Sequence, residues 1–108
     1  MTPAVQAAQN AKIDFWLHHY DHDTSSKSFG LEAAVKLTVA VERVFKTLVV
    51  TMDDNHLAVG VIPVDRLLNM KRIAKSAGAK KAVMTMPQDV ERSTGYVVGG
   101  VSPLGQKR

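Results

Sequence analysis

Two β-rich runs, Phe45 to Met52 and His56 to Pro63, flank Asp53-Asp54-Asn55 and limit the possible folds more than any other feature of the chain. Branched and aromatic residues on both sides of a short Asp/Asn cluster predict an antiparallel hairpin. Other signals surround it. Residues 4 to 11 read as a helix with Pro3 in its first turn, and Ile13, Phe15 and Leu17 alternate as on a half-buried strand reaching Tyr20. From Gly30 to about Val41, the apolar residues Leu31, Ala34, Val35 and Leu37 recur at helical intervals. Asn69 is placed to cap a helix over Met70 to Ala77, with Gly78 as its stop. Ala82 to Thr85 and Gly95 to Val98 read as short strands, separated by a turn or two of helix from Pro87 to Arg92. Strands interleaved with short helices around a hairpin predict an α+β domain with a mixed, mostly antiparallel sheet.

A chain of 108 residues fits one domain, and it shows no repeat or linker. No run approaches a membrane span, and Met1 to Gln6 lack the pattern of a secretory signal, so a cytoplasmic location is expected. Without cysteine there is no disulfide, thiolate nucleophile or cysteine-ligated metal. The formal charge of +4 makes a polyanion a plausible partner. Lys71-Arg72, Lys75, Lys80-Lys81 and Lys107-Arg108 suggest a basic side, although a solvated helix face has the same composition.

The stretch from Arg92 to Gly105 packs Gly95, Gly99, Gly100, Pro103 and Gly105 around a short apolar run. Bare main chain of this kind can line a pocket and point amide groups at a ligand's oxygen atoms. Lys46 is the most informative charged residue, because alternation puts it on the strand face of Leu48, Val50 and Met52. An ammonium on such a face must find an anion, suffer desolvation or reach water at the strand end. Thr47 falls on the opposite face, as a strand former. His18, His19, Asp21, His22 and Asp23 are metal-ligand types, yet strand alternation splits them between two sides and argues against a metal site. Tyr20 is suited to a pocket rim. Ser93, Thr94 and Ser102 offer hydroxyls with no sign of activation, and the glycines do not form a dinucleotide fingerprint.

Tyr20, Phe45-Lys46-Thr47-Leu48, Gly78-Ala79-Lys80-Lys81, Arg92-Ser93-Thr94-Gly95-Tyr96 and Gly99-Gly100-Val101-Ser102-Pro103-Leu104-Gly105 occur in this order. In them the chain resembles the bacterial YbaK-type Cys-tRNA(Pro) deacylases, within the wider superfamily of prolyl-tRNA editing domains. The resemblance runs over nearly the whole length. It implies a mixed sheet partly closed like a barrel and flanked by helices. It also implies an enzyme that removes cysteine wrongly attached to tRNA(Pro), a correction needed because a synthetic site discriminates poorly between amino acids of similar size.

In the mechanism the resemblance implies, the thiol of the substrate cysteine attacks its own ester carbonyl, so no cofactor, metal or protein nucleophile is required. Lys46 and Tyr20 match the family's functional lysine and a pocket residue, and are the expected catalytic residues. Gly99, Gly100, Val101, Ser102 and Pro103 match its Gly-x-x-x-Pro loop and, with Thr47, are the expected substrate contacts. The implied partners are tRNA(Pro) carrying cysteine and prolyl-tRNA synthetase in a ternary complex, and a homodimer is expected because terminal strands missing from the sheet would expose its edge. Ala-tRNA(Pro) deacylation and tRNA binding without catalysis are the alternatives. Family members continue past the position matching Arg108, so residues 1 to 108 are expected to form an editing domain incomplete at its C-terminus.

Overall fold

The computed structural model describes residues 2–21 and 29–107. The hairpin forms where its residues predict it. Strand β1 (Phe45–Met52) pairs antiparallel with β2 (Leu57–Pro63), with Lys46 opposite Ile62 and Thr51 opposite Leu57. Asn55 makes the reversal at φ 69°, and the Met52 amide donates to the His56 carbonyl oxygen at 2.8 Å. On its other side β1 pairs antiparallel with β3 (Ala82–Met84), giving the order β2-β1-β3.

Four α-helices accompany the sheet among the described residues: α1 (Pro3–Asn10), α2 (Phe29–Lys36), α3 (Met70–Ser76) and α4 (Pro87–Thr94). Local chemistry sets their starts. The Thr2 hydroxyl accepts from the Val5 amide at 3.3 Å, and Asn69 Oδ1 accepts from the Arg72 amide at 3.0 Å. Pro3 and Pro87 occupy first-turn positions, where a missing N–H costs nothing. Thr38, at φ 55°, ends α2 earlier than its apolar spacing predicts, and a 3₁₀ turn (Val41–Arg43) leads into β1.

One face of α3 covers the sheet. Met70, Ile73 and Ala74 join Val50 and Met52 in the core, together with Ala58, Leu68, Ala79 and Ala82. The opposite face presents Lys71, Arg72 and Lys75 to water.

Three sequence expectations need correction. Among the described residues the sheet is antiparallel throughout, not mixed, and its three strands stay open instead of closing towards a barrel. Residues 13 to 20 run outside the sheet with Ile13, Trp16 and Leu17 more than half exposed, at 56%, 78% and 57%. Alternation supplies the side chains of a strand without supplying a ladder partner. Residues 95 to 98 form bends and the start of a turn instead of a strand, because Gly95 and Gly99 at φ 82° and 92° bend the chain away from an extended path. With both segments outside the sheet, the three strands among the described residues are too few to close it.

Candidate active site

The shortness of β3 creates the main cleft. Met84 pairs with Val50, the Thr85 amide donates to the Val49 carbonyl oxygen at 3.1 Å, and Pro87 then turns the chain into α4. The first half of β1 is therefore left without a strand partner on that side among the described residues. In an antiparallel ladder alternate residues aim their main-chain groups to opposite sides, so the N–H and C=O of Thr47 point the same way as those of Val49. Where Val49 meets Thr85, Thr47 meets open space.

That space is a cleft of about 540 Å³. Lys46 and Thr47 enter from β1, Tyr20 from the segment after α1, and Gly99 and Val101 from the loop after α4. Lys46, Thr47 and Tyr20 are all half-buried. Among the described residues no carboxylate forms an ion pair with the Lys46 amine, whose position on a half-buried strand face suits it to an anion brought by a ligand.

Two tethers shape the walls. The Lys36 amine donates to the Asp21 carbonyl oxygen and lies 3.7 Å from Glu32, which anchors the chain next to Tyr20 onto α2. The loop after α4 is closed on itself. The Tyr96 hydroxyl donates to the Leu104 carbonyl oxygen at 2.7 Å, and the Tyr96 amide donates to the buried Thr94 hydroxyl at 3.0 Å. Ser102 Oγ accepts from the Leu104 amide at 3.1 Å, while its carbonyl accepts from Gln106 Nε2 at 3.0 Å.

Of the residues singled out in the sequence, the cleft thus brings together Tyr20, Lys46, Thr47, Gly99 and Val101. Gly100, Ser102 and Pro103 do not line it; Ser102 instead holds the loop through its bonds with Leu104 and Gln106. Nothing in the spacing of Val49, Val64 and Val90 marks them as cleft walls, although all three are buried there. A partial signal lay in Gly30, where any side chain would collide with Val64. No group of three metal-ligand side chains is assembled among the described residues, and His22 and Asp23 lie outside them. No helix among the described residues is long and apolar enough to cross a membrane.

Residues 26–108 match the family model of the aminoacyl-tRNA editing domain. The chain belongs to that family. A relative from Enterococcus faecalis, named "Putative Cys-tRNA(Pro)/Cys-tRNA(Cys) deacylase EbsC", is 37% identical over 108 residues. The match covers 99% of this editing domain chain and 65% of the relative's length. Among solved structures, hypothetical protein APE2540 superposes with a TM-score of 0.82 at 28% identity, over 97% of this chain and 67% of that one. The structure described as "a putative trans-editing enzyme for prolyl tRNA synthetase" superposes with a TM-score of 0.68 at 23% identity, over 78% of this chain and 52% of that one, and shows likeness of fold. The cleft beside β1 thus lies in a chain of the editing-domain family that spans about two thirds of the length of the relatives it matches.

Proposed function

We propose that the chain is an aminoacyl-tRNA deacylase that clears cysteine from Cys-tRNA(Pro), with Lys46, Tyr20 and the Gly99 to Pro103 loop at its reaction centre. The observation that carries this reading is the convergence of a half-buried lysine, lacking a carboxylate partner among the described residues, with exposed glycine main chain on one cleft in a member of the editing family. The relative's printed name points to the same substrate.

The chemistry follows from what the cleft offers. Lys46 attracts a phosphate of the terminal nucleotide and fixes the RNA end, while Tyr20 lines the same cleft. Main-chain groups of Thr47 and Gly99 orient the aminoacyl carbonyl, with Gly100, Ser102 and Pro103 fixing the loop's path. Val49 and Val90 leave room for a small side chain. Inside this frame the substrate's sulfur attacks its own ester carbon. A carbon–sulfur bond forms, the carbon–oxygen bond to the ribose breaks, and the thiol proton ends on the ribose oxygen. The products are cysteine thiolactone and free tRNA, so neither a protein nucleophile nor a metal is needed. Prolyl-tRNA synthetase, as the source of the mischarged tRNA, is the natural partner of such an enzyme in the cytoplasm.

The test is release of amino acid from Cys-tRNA(Pro) and Ala-tRNA(Pro) by the purified chain. Fast release of cysteine alone is expected, since alanine carries no thiol. Equal release from both substrates would replace self-attack with attack by water, and release from neither would reject the deacylase reading.

A further inference from the structure

A second cleft of about 420 Å³ lies between β2 and α3 and shares no lining residue with the first. Gly60 and Ile62 line it from β2, and Arg66, Asn69, Arg72 and Ser76 line it from the segment that follows. The cross-strand partners of Gly60 and Ile62 are Leu48 and Lys46, so the clefts open on neighbouring strands about 4.8 Å apart.

The segment that lines this cleft from beyond β2 carries charge of one sign from Arg66 onward. From Arg66 to Lys81 the sequence carries Arg66, Lys71, Arg72, Lys75, Lys80 and Lys81 and no carboxylate. All six cations are exposed, and none forms an ion pair among the described residues. Lys81 sits beside the acidic hairpin turn, where its carbonyl oxygen accepts from the Asp53 amide at 3.1 Å, and so belongs to that turn. Arg66 follows Asp65 in sequence, yet neither it nor Lys71, Arg72 or Lys75 forms an ion pair among the described residues. A face kept only for solubility mixes both signs of charge. Lys71, Arg72 and Lys75 share one helix face because Met70, Ile73 and Ala74 are held in the core.

We propose that the Arg66–Arg72 cleft and the Lys71–Lys75 face of α3 form a second RNA-binding surface, which grips the phosphate backbone of a duplex stem while the Lys46 cleft receives the aminoacyl end. The inference rests on the reading of the substrate as an aminoacyl-tRNA. Guanidinium forks match phosphate oxygens in pairs, and the amide of Asn69 and hydroxyl of Ser76 extend the polar rim. Contacts of this kind position a stem without reading its sequence.

The test measures binding of a deacylated RNA hairpin with a short duplex and single-stranded 3′ end, by fluorescence anisotropy over a range of salt. Affinity should fall as salt rises. In the double variants Arg66→Ala/Arg72→Ala and Lys71→Glu/Lys75→Glu the dissociation constant should increase at least tenfold, and the salt slope should drop by about one for each cation removed. Lys12→Ala, which changes an exposed cation elsewhere, should bind like the wild type. Each altered side chain is exposed, and two independent double variants guard against loss of fold in one. A wild type that ignores the hairpin, or variants that keep its affinity and slope, would overturn the proposal. So would tighter binding of poly-glutamate than of RNA, which would point to an acidic protein partner. Hairpin binding without ester hydrolysis would instead remove the deacylase reading and leave this surface standing.

Discussion

The Tyr96 hydroxyl donates to the Leu104 carbonyl oxygen at 2.7 Å, and this bond brackets the loop that carries Gly99 and Val101 into the cleft. Thr94, buried at the end of α4, fixes the near end of the same loop through its hydroxyl, which donates to the Val90 carbonyl oxygen at 2.7 Å and accepts from the Tyr96 amide. The cleft wall is therefore held by side chains that do not themselves face a ligand.

Removing the bracket should damage activity more than fold. Tyr96→Phe deletes one solvent-accessible hydrogen bond, worth about 0.5–1 kcal/mol, so Tm should fall by only a few degrees. Deacylation should fall by at least tenfold, because a loop loosened by an ångström misplaces the groups that orient the carbonyl. Thermal unfolding together with single-turnover hydrolysis checks both; a rate that falls no further than stability does would make Tyr96 a merely structural residue.

Gly105 is where the loop after α4 meets α1. Its φ of 67° disfavours any side chain, and a Cβ there would run into the Pro3 carbonyl. Gly105→Ala should cost about 1–3 kcal/mol. Gly78→Ala, at φ 75° with open space around it, should cost less. Chemical denaturation of the two variants gives the ranking, and equal losses would mean that the contact with Pro3 contributes nothing.

The contrast between local and distant signals explains how much could be read from the residues alone. Asn69 and Gly78 bound α3, and Asp53-Asp54-Asn55 turns the hairpin, through chemistry contained within a few residues; both elements were legible. Ile13 to Tyr20 and Gly95 to Val98 carry strand-like side chains, but strands need partners that no local pattern supplies. The site divides in the same way. The half-buried position of Lys46 was legible from alternation along β1, whereas Ser102 shares a glycine-rich motif with Gly99 yet turns its hydroxyl back onto the Leu104 amide. The buried walls from Val64 and Val90 depend on how the helices close around β1, which only three-dimensional packing reveals.

At the far end of the hairpin, Asp54 offers a titration that can be read without a substrate. A hydrogen bond with the His56 side chain at 2.9 Å, and a second from the His56 amide at 3.1 Å, hold its carboxyl below the ordinary carboxylate value. Its small contribution to stability is fully present above the unfolded carboxylate pKa of about 3.9, and is lost as pH falls through the lower folded value. Carbon-detected NMR titration should show the depressed value in the wild type and a rise towards normal in His56→Ala. An unchanged midpoint would contradict the assigned cause.

The central claim is that Lys46 binds the RNA end in the cleft beside β1, and it is tested most directly by single-turnover deacylation of Cys-tRNA(Pro) with the wild type and Lys46→Ala. The wild type should release cysteine well above the spontaneous rate, and the variant should lose about 100-fold or more while keeping its circular dichroism spectrum and Tm. A folded Lys46→Ala protein that works at the wild-type rate would contradict the account.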